Sequence, residues 1–127
     1  MNVVDSSAWL SYFASDDNAR IFAEPIENVS ELVVPSITMT EVFKVVLRQR
    51  GEEAALIVTA HMEQGRVIPL DSELAMNAAK FGVLHRLPLA DSIIFATAQK
   101  YAALVWTQDN DFEGLPGVRY IAKQSTR

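Results

Sequence analysis

The stretch Asn2-Val3-Val4-Asp5, followed by a helical pattern from Ser7 to Ala14, is the unit from which the rest of the fold can be predicted. Its short apolar run contains two β-branched residues and ends in polar residues, which predicts a buried strand leading directly into a helix. A strand followed at once by a helix is typical of an α/β fold. In such a fold Asp5 lies at the carboxyl end of the first strand, on the sheet edge where ligands bind.

The same alternation of short apolar strands and amphipathic helices continues along the chain. Further strands are predicted at Glu31–Val34, Val67–Leu70, Leu104–Thr107 and Val118–Ile121. Further helices are predicted at Asn18–Glu24, Met39–Arg50, Glu52–Gln64, Ser72–Phe81 and Leu89–Tyr101. This order predicts an α/β fold with a mainly parallel central sheet of about five strands and helices on both faces.

Length and composition narrow the class of protein. A chain of 127 residues with 50% hydrophobic residues is long enough for one sizeable core, so we expect a single domain over residues 1–127. Zero cysteines exclude disulfides and thiolate-bound zinc. The apolar runs are shorter than the roughly 18 residues of a membrane span, and no signal-like segment opens the sequence. We therefore expect a soluble, cytoplasmic protein.

Four carboxylates fall where a predicted strand ends or a predicted helix begins: Asp5, Glu41, Asp91 and Asp109. Because the carboxyl ends of parallel strands share one edge of the sheet, these acids are expected to lie together. Crowded carboxylates raise one another's pKa, and divalent cations offset that repulsion. The sequence thus predicts a shared metal site.

Each acid also has a local structural interpretation. Asp5 can cap the helix that follows it, and Asp91 can interact with the positive end of a helix dipole. Thr38 and Glu41 have the spacing of a capping box, and Asp109 can bond backbone amides in its own turn. A purely structural account needs four independent reasons, whereas a metal site needs only one.

Four segments of the chain carry the acids and their immediate neighbours: Val4-Asp5-Ser6-Ser7, Thr40-Glu41, the stretch LPLADSIIFATA from Leu87 to Ala98, and Thr107-Gln108-Asp109-Asn110-Asp111-Phe112. Together they resemble the PIN-domain ribonucleases, and VapC-type toxins in particular. By this resemblance Asp5, Glu41, Asp91 and Asp109 match the acidic quartet of the family. Ser7 and Thr107 match positions that often carry a hydroxyl, and Asp111 matches a further acid.

The resemblance implies a metal-dependent endoribonuclease, the toxin of a type II toxin–antitoxin pair, in which the quartet is both catalytic and metal-binding. Carboxylate ligands suit Mg²⁺, with Mn²⁺ as a substitute. A metal-activated water then hydrolyses the RNA phosphodiester, leaving a 5′-phosphate and a 3′-hydroxyl. Asp5 and Asp91 are the principal ligands expected. His61, inside a predicted helix, and His85, in a predicted loop before Pro88, are expected to take no part.

Partner binding is predicted from charge and from apolar content. The net charge of −5 lacks the basic excess of a strong nucleic-acid binder. Lys44 and Arg48, three and seven residues after Glu41, are candidates for RNA-phosphate contacts, or else part of a solvated helix face. The apolar residues of 42–47 and 56–58 exceed one core-facing stripe, which favours an interface. The resemblance implies a homodimer and a cognate antitoxin.

Two other functions remain open from the sequence. A phosphorelay receiver domain has a similar length and acidic strand ends, but it has adjacent acids after the first strand and a late lysine. Here Asp5 is followed by Ser6, and the late segment is Asp109-Asn110-Asp111. The second alternative is a non-catalytic PIN-like protein-binding module whose acids bind an arginine of a partner.

Overall fold

A five-stranded, wholly parallel sheet forms the centre of the protein in the computed structural model, which describes residues 1–124. Its strands are β1 (Asn2–Val4), β2 (Leu32–Pro35), β3 (Arg66–Ile68), β4 (Leu104–Thr107) and β5 (Val118–Tyr120). The predicted α/β class and the predicted strand number are confirmed. The last three residues of the predicted domain 1–127 lie outside the described residues.

Six α-helices connect or follow these strands in the described part of the chain. They are α1 (Ser6–Ala14), α2 (Ala19–Glu27), α3 (Ser36–Arg50), α4 (Glu52–Met62), α5 (Ser72–His85) and α6 (Leu89–Lys100). Two short 3-10 helices lie at Val29–Glu31 and Asn110–Phe112. None of the helices in residues 1–124 is long and apolar enough to cross a membrane.

Alternate side chains of the strands point to opposite faces of the sheet, and each face has its own core. Val3, Val33 and Val105 pack with the buried residues of α5 and α6 on one face. Val4 and Trp106 pack with residues of α1, α2, α3 and α4 on the other. The prediction that helices cover both faces is confirmed.

The strand order β3-β2-β1-β4-β5 places a switch point between β1 and β4. Successive connections leave these two strands in opposite directions, which opens a crevice at their carboxyl ends. Val4 pairs with Trp106, and the Asp5 amide donates to the Trp106 carbonyl at 3.1 Å. A receiver domain has the order 2-1-3-4-5, so the receiver alternative is wrong.

Helix α3 begins three residues earlier than predicted, at Ser36 instead of Met39. Pro35 occupies the N-cap position, and the Thr38 hydroxyl donates to the Pro35 carbonyl at 2.7 Å. The capping-box interpretation of Thr38 and Glu41 is therefore wrong, because Thr38 lies inside the first turn. Glu41 lies in the second turn, where its carboxylate is free for another partner.

His85 was predicted in a loop, but it is the last residue of α5, which extends four residues beyond the predicted end at Phe81. Its ring stacks on Phe81 at 6.1 Å between centroids and meets the edge of Phe95 at 5.4 Å. These ring contacts stabilise the additional helical turn, a tertiary effect that helix periodicity alone does not show.

Candidate active site

Asp5 is positioned by the junction of β1 and α1. It is the N-cap residue of α1, it is only 2% exposed, and its Oδ1 accepts hydrogen bonds from Ser7 Oγ at 2.8 Å and Ala8 N at 3.1 Å. The capping role considered for Asp5 is thus realised. The same junction also fixes Asp5 at the switch point beside β4, so capping and a functional role are compatible.

Asp91 is the third residue of α6, in the first turn after the Pro88 N-cap. The helix packs against the sheet through Ile94, Phe95 and Ala98, all of which are buried. This packing leaves the Asp91 side chain only 8% exposed at the amino-terminal end of the helix. The helix dipole favours a negative charge at that end, whereas burial opposes it.

The loop after β4 supplies two further acids. The Asp109 amide donates to Thr107 Oγ1 at 2.9 Å, and Asp109 Oδ1 accepts from the Asp111 amide at 2.9 Å. Carboxylate oxygens of Asp91, Asp109 and Asp111 lie within 4.8 Å of one another. We refer to these three residues as the acidic cluster; their oxygens could hold a divalent cation.

Crowding and burial disfavour ionisation of this site. The pKa of Asp91 is raised from 3.8 to about 8, first by burial and then by the charge of Asp109 and a hydrogen bond with it. The charges of Asp5 and Asp111 raise it further. Burial likewise raises the pKa of Asp5 to about 6, although hydrogen bonds from Ser7, Ala8 and Thr107 lower it. Burial and repulsion together favour the protonated form of Asp91 at neutral pH, and a cation would offset the repulsion.

Glu41 lies at the margin of the site. Its Oε1 accepts a hydrogen bond of 2.5 Å from Ser6 Oγ, and Ser6 directly follows Asp5. Within residues 1–124, neither Glu41 nor Asp5 belongs to the acidic cluster, but Asp5 interacts electrostatically with Asp91. The structure therefore groups two of the four predicted acids, Asp91 and Asp109, with Asp111. Asp5 lies near enough to interact with Asp91 through its charge, and Glu41 is connected through Ser6.

The two predicted hydroxyl residues join the ends of β1 and β4. Ser7 Oγ donates to Asp5 and accepts from the backbone N–H of Gln108 at 3.3 Å. Thr107 is fully buried, and its hydroxyl holds the Asp109 amide and lowers the pKa of Asp5. Both side chains contact the acids directly.

The basic and aromatic candidates lie farther out. Lys44 and Arg48 are exposed on α3, and Lys44 lines a groove with Met39, Phe43 and Leu47. His61 lies inside α4, as predicted, and its ring packs against Trp9, Tyr12 and Phe13. It contributes to this aromatic group and is absent from the acidic cluster.

Ser6, Asn18 and Gln108 were not predicted as site residues. Asn18 Nδ2 donates to Gln108 Oε1 at 2.9 Å, and Gln108 Nε2 donates to the Ser7 carbonyl at 3.4 Å. Ser6 could have been suspected because it follows Asp5. No sequence signal joins Asn18 to Gln108, since they are 90 positions apart.

The fold and the acids at the switch point together define an α/β domain with a carboxylate centre. The model of the PIN domain family matches residues 3–118. The chain therefore belongs to the PIN domain family. A search of curated proteins finds no significant match to the sequence.

Solved structures share the fold over nearly the whole chain. A toxin–antitoxin complex from Klebsiella pneumoniae is 22% identical, with TM-score 0.80 over 94% of this chain and 96% of that one. VapC20 from Mycobacterium tuberculosis, a sarcin–ricin loop cleaving toxin, is 20% identical, with TM-score 0.73 over 88% and 92%. DNA-bound VapBC from Salmonella typhimurium is 19% identical, with TM-score 0.72 over 96% and 98%.

Proposed function

We propose that this protein is a cytoplasmic, divalent-metal-dependent endoribonuclease and the toxin of a type II toxin–antitoxin pair. The observation that carries the proposal is the acidic cluster of Asp91, Asp109 and Asp111 beside the buried Asp5. The PIN domain and the fold shared with a toxin that cleaves the sarcin–ricin loop support an RNA substrate.

The ligand atoms favour a hard cation. The acidic cluster offers carboxylate oxygens, and the pKa of Asp91 is raised first by burial and then by neighbouring negative charges, which a cation would offset. Oxygen ligands suit Mg²⁺ and Mn²⁺, whereas zinc usually recruits histidine or cysteine. Asp5, Asp91, Asp109 and Asp111 are the residues we assign to cation binding.

A bound divalent ion supplies charge neutralisation at the phosphate and lowers the pKa of a water molecule. Ser7 and Thr107 hold Asp5 and Asp109 in place through their hydroxyls. Glu41 and Asp109 are assigned to orientation of the attacking water. Because water is the nucleophile, no side chain becomes covalently attached, and the products carry a 5′-phosphate and a 3′-hydroxyl.

RNA must reach this site against a net charge of −5. Lys44 and Arg48 are exposed on the helix that carries Glu41, and we assign them to contacts with RNA phosphates. Bound cations would also neutralise part of the negative charge at the acids.

Two exposed apolar surfaces fit the proposed protein partners. The α3–α4 surface consists of Leu47, Leu56 and Ile57, and it adjoins the groove that contains Lys44. The sequence predicts an interface from the apolar residues of 42–47 and 56–58. Of these, Val42 and Val46 are buried in the core, so fewer apolar residues are exposed than expected. We assign this surface to the antitoxin because its groove borders the helix of Glu41.

The second apolar surface was not predicted. The α5–α6 surface consists of Met76, Val83, Leu84 and Leu89, with Val83 as much as 83% exposed. Large exposed apolar residues grouped in this way mark protein interfaces. We assign this surface to a second copy of the chain, which gives a homodimer.

The proposed activity is tested by incubating the purified protein with bacterial RNA in Mg²⁺, in Mn²⁺ and in chelator, and mapping the new RNA ends. We expect cleavage with either ion and none in chelator. Asp91→Asn should reduce the rate by roughly 100-fold or more, because it removes a charged ligand. Cleavage that persists in chelator would contradict the metal mechanism. Absence of cleavage by the wild type would favour the non-catalytic protein-binding module.

A further inference from the structure

A polar groove runs from the acids towards β5. It has a volume of about 470 Å³ and is lined by Ser7, Gln108, Asp109, Asn110, Tyr120 and Lys123. We refer to it as the β4–β5 groove. Ser7 and Asp109 line the groove, so a long ligand bound at the acids can extend into the groove.

The pairing of β4 with β5 determines where this groove lies. Thr107 is the register partner of Tyr120, and the Ile121 amide donates to the Thr107 carbonyl at 2.8 Å. Tyr120 therefore lies beside Thr107, the last residue of β4, and Thr107 precedes Asp109 by two residues. The chain after Tyr120 forms the far wall of the groove, which includes Lys123.

Buried hydrogen bonds hold the walls of the groove together. Asn18 is 2% exposed, and its Nδ2 donates to Gln108 Oε1 at 2.9 Å and to the Ala122 carbonyl at 3.0 Å. These bonds join the segment before α2, the loop after β4 and the segment after β5. A groove fixed in this way loses little conformational freedom when a ligand binds.

The chemistry of the lining suits a nucleotide. Asn110 and Gln108 carry amides that can donate and accept hydrogen bonds, Tyr120 offers an aromatic ring, and Lys123 offers an ammonium group. Outside the groove, the Arg119 guanidinium lies over the Trp106 ring, 4.5 Å from its centroid. In a chain of net charge −5, a lysine in the groove provides local attraction for a phosphate.

We propose that the β4–β5 groove binds the nucleotide next to the scissile phosphate in single-stranded RNA, with Lys123 on its phosphate and Tyr120 on its base. This inference rests on the proposed ribonuclease function and adds a substrate subsite to it. Aromatic contact with an unpaired base and a cation on the backbone are the usual means of binding single strands.

Substitution of Asp17 should change RNA affinity in the direction opposite to substitution of Lys123. Asp17 and Lys123 line the cavity that adjoins the groove at Gln108. The neighbouring Asp16 accepts from the backbone N–H of Asn18 at 3.0 Å and from the Ser11 hydroxyl, whereas the Asp17 side chain is exposed. The charge of Asp17 opposes phosphate binding by Lys123, so its removal should strengthen binding.

The experiment measures the affinity for a fluorescein-labelled, randomised ten-nucleotide RNA by anisotropy at several salt concentrations. All proteins carry Asp91→Asn and are measured with Mg²⁺, so that cleavage during the measurement is slow. Lys123→Ala should weaken binding about 5-fold and reduce the salt slope by about 0.7. Tyr120→Leu should weaken binding about 5-fold or more. Asp17→Asn should strengthen it.

Lys100→Ala is the matched control, because Lys100 is also exposed but lies at the opposite end of α6, about 14 Å along the helix from Asp91. Equal affinities for Lys100→Ala and Lys123→Ala would overturn the proposal. So would an effect of Lys123→Ala on a protein partner without an effect on RNA.

Cleavage assays with Asp91 intact separate this proposal from the proposed function. If the wild type cleaves RNA and Lys123→Ala raises KM several-fold with little change in kcat, the subsite is supported. If the wild type cleaves but Lys123→Ala has an unchanged KM, the subsite is wrong and the ribonuclease function stands. If the wild type neither cleaves nor binds RNA, both proposals fail.

Discussion

Ser6 and Glu41 are 35 positions apart in the sequence, yet Ser6 Oγ donates a hydrogen bond to Glu41 Oε1 at 2.5 Å. The next residue, Ser7, donates to Asp5 at 2.8 Å. Two consecutive hydroxyls at the start of α1 therefore hold two different acids, one after β1 and one on α3. This arrangement connects Glu41 to the acids at the switch point without placing it among them.

We predict that Ser6→Ala lowers the rate of RNA cleavage about 10-fold, because Glu41 loses the group that orients it. RNA affinity and thermal stability should change little, since the Ser6 side chain is only half-buried. The rate is measured at saturating RNA with Mn²⁺. Ser72→Ala, at the exposed start of α5, is the control and should be neutral.

The pairing of Ser6 with Glu41 is checked by a double-mutant cycle. If Ser6 acts through Glu41, then Ser6→Ala combined with Glu41→Gln should be no slower than Glu41→Gln alone. Additive losses in rate would show that the two side chains act independently and would contradict the positioning role of Ser6.

The sequence was sufficient for the sheet and for three of the acids. Short apolar runs such as Val3-Val4 and Val105-Trp106 mark buried strands; Asp5 follows the first run directly, and Asp109 comes three residues after the second. Asp91 lies in the first turn of α6, where it is the first of eight consecutive buried residues, and the apolar run around Ile93 and Ile94 makes this pattern visible in the sequence. These positions follow from local periodicity and sheet geometry.

The remaining features depend on contacts that periodicity does not show. The orientation of the Glu41 side chain depends on where α3 begins. It begins at Ser36, three residues before the start that the sequence pattern predicts. The bond between Asn18 and Gln108 depends on tertiary packing. Val83 and Leu84 resemble core residues in the sequence, and only the structure shows that this end of α5 is exposed.

We predict that Asp91→Asn makes the metal-free protein at least as stable as the wild type, because it removes like-charge repulsion from a buried site. For a domain of this size, 1 kcal/mol corresponds to roughly 3–5 °C in Tm. Excess Mn²⁺ should raise the Tm of the wild type, since an ion that binds only the folded state stabilises it by mass action. The rise should be smaller for Asp91→Asn. Calorimetric scans in chelator and in Mn²⁺, at matched ionic strength, measure both effects.

Asp71→Asn is a suitable control, because Asp71 caps α5 by accepting from the Leu74 amide at 2.9 Å and lies outside the acidic cluster. Asn caps a helix about as well as Asp, so this change should leave the metal response intact. Equal metal responses in wild type and Asp91→Asn would show that Asp91 is not a ligand.

We predict that the metal-free protein loses stability as the pH rises from about 4 to 8. The folded pKa values of Asp91 and Asp5, about 8 and about 6, lie above the ordinary value of 3.8, so the folded state binds more protons in this range. The free energy of unfolding then falls with increasing pH, and the stabilisation is fully present only below the unfolded pKa. Asp91→Asn should flatten this dependence. Thermal scans at pH 5.5, 6.5 and 8 in chelator measure it; a wild-type Tm that rises over this range would contradict the assignment.

Metal binding should have the opposite pH dependence. A cation binds the deprotonated carboxylates, so its affinity should increase as the pH rises through the raised pKa values. The Tm increase caused by Mn²⁺ should therefore be larger at pH 8 than at pH 5.5. An increase independent of pH would show that the ion binds groups other than Asp91 and Asp5.

We predict that Leu84→Glu prevents formation of the proposed homodimer and leaves a monomer. Leu84 is 71% exposed on α5, beside the still more exposed Val83, so the substitution should cost the isolated chain little stability. Placed in an apolar interface between two copies, the new carboxylate must be buried without a partner, which opposes association. Sedimentation velocity at several protein concentrations measures the change in mass.

Leu56→Glu, on the α3–α4 surface, is the matched control, because Leu56 is also exposed but lies on the surface assigned to the antitoxin. It should leave the dimer intact and weaken antitoxin binding. A dimer that survives Leu84→Glu but dissociates with Leu56→Glu would reverse the two assignments.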